Sequence, residues 1–335
     1  MIQKSRPPYI RSSQNTSYAY LIVLVALIPC ICSAVFSYGI RAFVLVLSSA
    51  LLFLLFDTFF SKMLGNASRM QRFVDLNSLV NGIIFGLLLP ANTSLLIVVI
   101  GALFGSFVIK QLFGGLGNSL FNQAASSRLF VELMFPNYLL GFSQPFTDYL
   151  KTDTLLRLKP AVSENMITTN FKAMYFAEIL NGSYSTLIGL GSVFTVLIGM
   201  LYLVLRKTTK PYVSIFYCIS AILSYAMINS QLFEGDILKE GFREVAIFAV
   251  TSGVLFAASY LLAVYSNVPI GFRSSIIAGA LSGFLAAFLY TRTSVGITIC
   301  VPVLMVNLIT PVLEYLIPHR HTKRVSFTSD KKEVE

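Results

Sequence analysis

The sequence predicts an all-α polytopic membrane protein with about ten transmembrane helices, arranged as two halves of five. Hydrophobic residues make up 56% of the chain and charged residues only 12%, whereas a soluble domain carries about 25% charged residues. Apolar runs of close to twenty residues recur along the chain, and this is the length that a helix needs to cross a bilayer. The short alternating segments of transmembrane β-strands are missing from the sequence.

Ten apolar segments account for the predicted helices: 19–38, 41–61, 78–90, 95–113, 121–138, 183–205, 211–231, 244–266, 274–290 and 296–317. The third and ninth are short, and the fifth is too polar for a lipid-facing helix. Arg128 and Glu132 lie four residues apart in the fifth segment and therefore share a helix face. Charges at membrane depth normally face protein or a polar cavity, and short or broken segments are typical of membrane folds with an internal site.

The distribution of basic residues predicts the orientation. Lys and Arg number 25 against 15 Asp and Glu, and they concentrate before the first segment, between the second and third, between the sixth and seventh, and in the tail. The positive-inside rule then places both termini in the cytoplasm of a bacterial plasma (inner) membrane and the long interval 139–181 outside it. Five segments on each side of that interval predict an inverted repeat with a site between the halves.

The predicted organisation follows from these boundaries: a cytoplasmic segment 1–18, a first half 19–138, an extracytoplasmic loop 139–181, a second half 182–317 and a cytoplasmic tail 318–335. The first apolar run is too long for the core of a cleaved signal peptide. No basic run interleaved with aromatic residues indicates a nucleic-acid partner. The four cysteines are interpreted as small buried hydrophobes. Cys30 and Cys32 leave a metal pair as the alternative, but no metal site is predicted.

Four stretches, taken in order and spacing, resemble the RnfD/NqrB family and RnfD in particular. They are RPPYIRSSQNT before the first segment, YGIRAFVLVLSSALLFLLFD, DLNSLVNGIIFGLLLPANTS and VIKQLFGGLGNSLFNQAASSRLF. The resemblance continues through GMLYLVLRK at 199–207 and VNLITPVLEYL at 306–316. It implies a membrane subunit of an ion-pumping oxidoreductase complex.

The resemblance also implies a covalent cofactor in the extracytoplasmic loop, because the family attaches FMN through a phosphoester to a threonine. The attachment motif resembles D-x-x-[ST]-[GS]-A-T followed by P-L, and DYLKTDTLL at 148–156 aligns with it without gaps. Asp148 matches the aspartate and Thr154 the modified threonine. Lys151 and Asp153 stand where small residues are usual, so the alternative is a polar loop that is no longer modified.

A second motif, G-N-x-F-N-P-A-x-x-G-R, corresponds to 117–128 and retains Gly117, Asn122 and Arg128. Gln123 replaces the proline. A helix N-terminus with a buried arginine suits an anionic or polar ligand, and the resemblance implies that these three residues contact a flavin, with a second, non-covalent flavin as an extension. Helix packing at a re-entrant turn is the alternative.

Three acidic positions of the family are neutral here, since Leu190, Ser266 and the stretch RTSVG at 292–296 replace them. Asp75 and Asn81 persist and either line a polar passage or, for Asp75, cap a helix, and we favour the cap.

The function implied is electron transfer through FMN on Thr154, coupled by the whole complex to cation transport. The chain would act enzymatically only as a subunit of a translocase-type oxidoreductase, because it has no complete catalytic site of its own. The expected partners are other membrane and peripheral subunits of an Rnf-like complex and a flavin transferase. Two alternatives remain open: a solute or vitamin transporter on the same scaffold, and a cofactor-free scaffold subunit.

Overall fold

The computed structural model describes residues 16–64, 75–115, 117–139, 142, 145–146, 182, 186–206, 211–229, 238–262, 268–269 and 271–317. Within these residues the regular elements are helices, and no strand is present. The predicted all-α polytopic membrane class is therefore confirmed.

The first half contains five helices, and polar caps fix where three of them begin. Asp75, Ser94 and Asn122 each accept a hydrogen bond from a backbone N–H of the first helical turn, which would otherwise lack a partner. The helices are α1 (Thr16–Tyr38), α2 (Ile40–Met63), α3 (Leu76–Leu87), α4 (Leu95–Phe104) and α5 (Gln123–Met134). A π-helical segment, Gly105–Gln111, continues α4, and a single turn, Pro136–Leu139, follows α5.

The second half follows a 3₁₀ turn, Ile188–Leu190, and begins with α6 (Val193–Leu205) and α7 (Pro211–Ile228). It continues with α8 (Leu238–Thr251), a short turn (Val254–Phe256), a second π-helical segment (Ala257–Leu261), α9 (Phe272–Tyr290) and α10 (Val295–Leu316). Ser294 caps α10 by accepting from the N–H of Ile297.

Three segment boundaries predicted from sequence are wrong. The sixth segment was predicted as one helix over 183–205, but α6 begins at Val193. The eighth was predicted as continuous over 244–266, but it breaks at Gly253, whose φ of 75° interrupts the helix, and the two pieces are bent by 49°. The ninth was predicted to be short, but α9 has 19 residues and is long enough to span a membrane.

Five helices of the described residues are long and apolar enough to cross a membrane, or six if the bent pair counts as one span. Three more, α3, α4 with its π segment, and α6, are apolar but shorter. Helix α1 packs against α6, and α5 packs against α10. These are the pairings that a two-fold inverted repeat requires, although the ten-span 5+5 arrangement itself stays a prediction.

Candidate functional site

Helix α5 is the most polar helix of the core, as its sequence predicted. Its buried residues include Gln123, Ser127, Arg128 and Glu132. It packs against α3, α4 and α10, so these polar groups face other helices and not lipid. Polar groups buried in this way must find partners inside the protein, and each of them has a different outcome.

Asn122, one of the predicted site residues, is the cap of α5. Its side-chain oxygen accepts from the N–H of Ala125 at 3.2 Å, and its amide nitrogen donates to the carbonyl oxygen of Leu261 at 3.3 Å. Leu261 ends the second π-helical segment, so Asn122 ties the start of α5 to the broken eighth span. Gly117 lies five residues earlier with a φ of +94° and no atom within 4 Å of an added Cβ. Its backbone conformation therefore requires glycine, while the space beside it does not.

Arg128 forms a buried ion pair at the other end of α5. Its Nη1 lies 2.9 Å from Oε2 of Glu132, although the N–H does not point at that oxygen, and its Nε donates to the carbonyl oxygen of Leu88 at 2.7 Å. Leu88 follows the last residue of α3, and a positive charge is favourable at a helix C-terminus. The predicted shared face of Arg128 and Glu132 is confirmed.

Two residues of α10 and its cap complete the surroundings of this pair. The hydroxyl of Ser294 donates to Oε1 of Glu132. Gly296 lies so close that an added Cβ would collide with the Arg128 guanidinium and the Glu132 carboxylate. The arginine charge is thus balanced within the chain, and its predicted contact with a flavin stays a prediction.

Gln123 differs from its neighbours because neither polar atom of its side chain has a hydrogen-bond partner among the described residues, although the residue is only 4% exposed. The hydroxyl of Ser127, one turn further along α5, is buried and unpartnered in the same way. Buried polar groups without partners are rare in native structures and indicate a bound water or ligand. The start of α5 is therefore the part of the described chain best suited to a polar guest.

A second buried cluster was not predicted from the sequence. Lys110, at the end of the first π-helical segment, lies 2.8 Å from Oδ2 of Asp57 in α2 and 2.5 Å from Oδ2 of Asp75. Asp75 also accepts from the N–H of Asn77, which confirms the predicted cap. Asn81 donates to Asn77 within α3. Charges inside two apolar runs pointed to this cluster, but nothing in the sequence pairs them.

Asp148 and Thr154 lie outside the described residues, but the chain on both sides of them is placed. The N–H of Phe146 donates to the carbonyl oxygen of Ser37 at 2.8 Å. The N–H of Thr186 donates to the Tyr38 hydroxyl at 3.3 Å, and that hydroxyl donates to the Thr186 carbonyl oxygen at 3.2 Å. The interval that contains Thr154 therefore leaves and rejoins the bundle at one end, beside the turn between α1 and α2.

The neutral replacement at Leu190 is part of the apolar core. Leu190 is 4% exposed and lies in the 3₁₀ turn next to Gly253, at the break of the eighth span. The carboxylate expected from the resemblance is replaced by packing there. Cys30 is buried and Cys32 exposed, so the two thiols lie on different faces of α1.

Apolar helices with broken spans, packed around buried charged clusters, define a multi-pass membrane protein with internal polar sites. The chain belongs to the NQR2, RnfD, RnfE family, whose model matches residues 3–323. This confirms the resemblance predicted from the four stretches.

Named relatives agree with that family, two of them over nearly the full length. One belongs to the Na⁺-translocating ferredoxin:NAD⁺ oxidoreductase complex of Acetobacterium woodii and is 25% identical over 99% of this chain and 97% of its own length. Another belongs to the proton-translocating ferredoxin:NAD⁺ oxidoreductase complex of Clostridium ljungdahlii and is 22% identical over 92% of each chain. A third, from an ion-translocating oxidoreductase complex of Escherichia coli, is 28% identical over 41% of this chain and 39% of its own.

Each of these relatives is the component that carries the letter D in its complex. The names of the first two give different coupled ions, Na⁺ and the proton.

Proposed function

We propose that this chain is the membrane subunit of an Rnf-like ion-translocating oxidoreductase, in which it carries electrons through FMN bound covalently to Thr154. The family and the full-length relatives support the complex. The observation that carries the assignment of Thr154 is the return of both ends of its interval to one end of the bundle, at Phe146 and Thr186.

The proposed orientation follows from that geometry together with charge. Lys62 at the end of α2 and Arg206 after α6 lie in or beside segments rich in basic residues, which the positive-inside rule places in the cytoplasm. The turn between α1 and α2 is at the other end of α2, so the interval 139–181 would face the outside of the bacterial inner membrane. A threonine hydroxyl there is accessible to a separate flavin transferase, with Asp148 as part of the sequence that this enzyme recognises.

The start of α5 is the proposed place of a second, non-covalent flavin. The imide edge of a flavin carries an N–H donor between two carbonyl acceptors, and the Gln123 side chain offers one acceptor and two donors that have no partner among the described residues. Asn122 and Gly117 would shape the approach to this edge. A flavin bound there would supply one- and two-electron redox chemistry, and the residues of α5 would hold its ring and exclude water.

Cation coupling is proposed for the complex as a whole. The described part of the chain balances its charged groups internally at Arg128 and at Lys110. Other membrane and peripheral subunits of the complex would supply the reactions with ferredoxin and NAD⁺ that the relatives' names state.

The experiment that tests flavin attachment is in-gel fluorescence of the denatured chain after co-expression with a flavin transferase. A fluorescent band at 37.0 kDa is expected for the native chain, and it should be lost in Thr154→Ala. Thr152→Ala is the matched control and should keep the band. If the native chain gives no band, covalent attachment is wrong and the transporter and scaffold alternatives gain.

A further inference from the structure

The ammonium group of Lys110 lies at the centre of three oxygen atoms in the core. Its Nζ is 2.8 Å from Oδ2 of Asp57, 2.5 Å from Oδ2 of Asp75 and 2.7 Å from Oγ of Ser78. Lys110 is only 1% exposed, and the side chains of Asp57 and Asp75 are 4% and 14% exposed. An ammonium has three N–H donors, and each has one oxygen partner here.

The carboxylates of this cradle are held by groups other than Lys110. Ser78 donates to Oδ2 of Asp57 at 2.7 Å, and Gln111 donates to Oδ1 of Asp57 at 2.5 Å. Asp75 is fixed by its capping bond to Asn77. The three oxygens therefore have partners that would hold them near their positions in the absence of the ammonium.

The π-helical segment is what brings two consecutive side chains to one carboxylate. Neighbouring residues of an α-helix point in different directions, yet Lys110 and Gln111 both reach Asp57. The N–H of Leu112 bonds to the carbonyl oxygen of Phe107, five residues back, which is the wider π spacing. The insertion of Lys110 is thus built into the backbone of the fourth span.

The charge of the cluster favours a cation over a neutral guest. Two carboxylates surround one ammonium, so the cluster has a formal charge of −1 even with Lys110 in place. Removing the ammonium would leave two buried negative charges close together, which is unfavourable where water does not screen them. A free monovalent cation of similar size would relieve that repulsion.

We propose that Asp57, Asp75 and Ser78 form a binding site for a monovalent cation that the chain fills with the tethered ammonium of Lys110. The occupied site joins α2, the start of α3 and the π-helical segment into one clamp. As long as Lys110 fills it, no exchangeable ion binds there, and cation movement by the complex takes another route. This inference stands apart from flavin binding and from Thr154.

The test is cation-specific stabilisation of the full chain in detergent. Lys110→Ala empties the centre of the cradle, and the triple variant D57N/D75N/K110A empties it and removes its charge. Lys62→Ala, which removes a lysine near the end of α2 and away from the cradle, is the matched control. The apparent Tm and the monodisperse fraction after purification are measured in potassium chloride, methylammonium chloride or choline chloride at equal concentration and pH.

For Lys110→Ala, potassium or methylammonium should raise the apparent Tm by about 2–4 °C or more relative to choline, which is too bulky to enter. The native chain, Lys62→Ala and the triple variant should not distinguish these salts. The proposal is overturned if Lys110→Ala responds equally to all three salts, and also if it cannot be recovered folded in any of them, because a cation site would then have been filled and stabilised.

Discussion

Replacing Arg128 by Met removes a buried positive charge and leaves two groups without their partner. The Glu132 carboxylate, whose side chain is 4% exposed, keeps only Ser294 as a described partner, and the carbonyl oxygen of Leu88 loses its donor. An uncompensated buried charge costs about 3–5 kcal/mol, and an unpaired carbonyl adds about 1 kcal/mol. We expect Arg128→Met to lower the free energy of unfolding by about 3–5 kcal/mol, a factor of roughly 10²–10⁴ in the folding equilibrium.

The assay is a double-mutant cycle, with reversible unfolding measured in mixed micelles or by steric trapping. Glu132→Gln keeps an acceptor for Ser294 and removes the negative charge, so the double variant no longer buries an unpaired charge. Arg128→Met/Glu132→Gln should therefore be more stable than Arg128→Met alone, by about 2 kcal/mol or more. Losses that simply add, or a loss below about 1 kcal/mol for Arg128→Met, would refute the buried ion pair.

Two further substitutions test the packing and the unpartnered amide. Gln123→Pro should keep α5 intact and preserve or raise the apparent Tm, because position 123 is the first helical residue, the φ of −63° and ψ of 122° at Asn122 suit a residue before proline, and an unpartnered buried amide is removed; a Tm lowered by several degrees would show that the amide is engaged. Gly199→Ala should cost about 1–3 kcal/mol of unfolding free energy, because its Cβ would meet the Tyr260 hydroxyl and the carbonyl oxygen of Ala26 where α6 crosses α1. Gly191→Ala, whose Cβ has only ordinary contacts, is the control for that change, and equal losses at the two glycines would contradict the predicted close approach.

The sequence predicted the elements of this fold better than their interruptions. Apolar length and polar caps such as Asp75 act locally, so the helices and several of their starts could be read from the chain. The break of the eighth span could not, because a single glycine within an apolar run is compatible with a continuous helix. Its φ of 75° at Gly253 is set by packing against Ile299 and Leu190, which are distant in sequence.

The same limit applies to the buried clusters. The pair of Arg128 and Glu132 follows from helical spacing, but their contact with Ser294 joins residues 162 positions from Glu132. Lys110 and Asp57 are 53 positions apart, and the sequence shows only that each is a charge in an apolar run. The orphaned amide of Gln123 depends on what its neighbours fail to offer, which no motif records.

The proposed role is tested most directly by ferredoxin-dependent reduction of NAD⁺ in membrane vesicles from cells that lack this chain and are complemented with variants of it. The native chain and Thr152→Ala should restore the activity, and Thr154→Ala should assemble into the complex but leave the activity near that of vesicles without the chain. Full activity with Thr154→Ala would contradict electron transfer through a flavin on Thr154 and would favour a scaffold subunit without that cofactor.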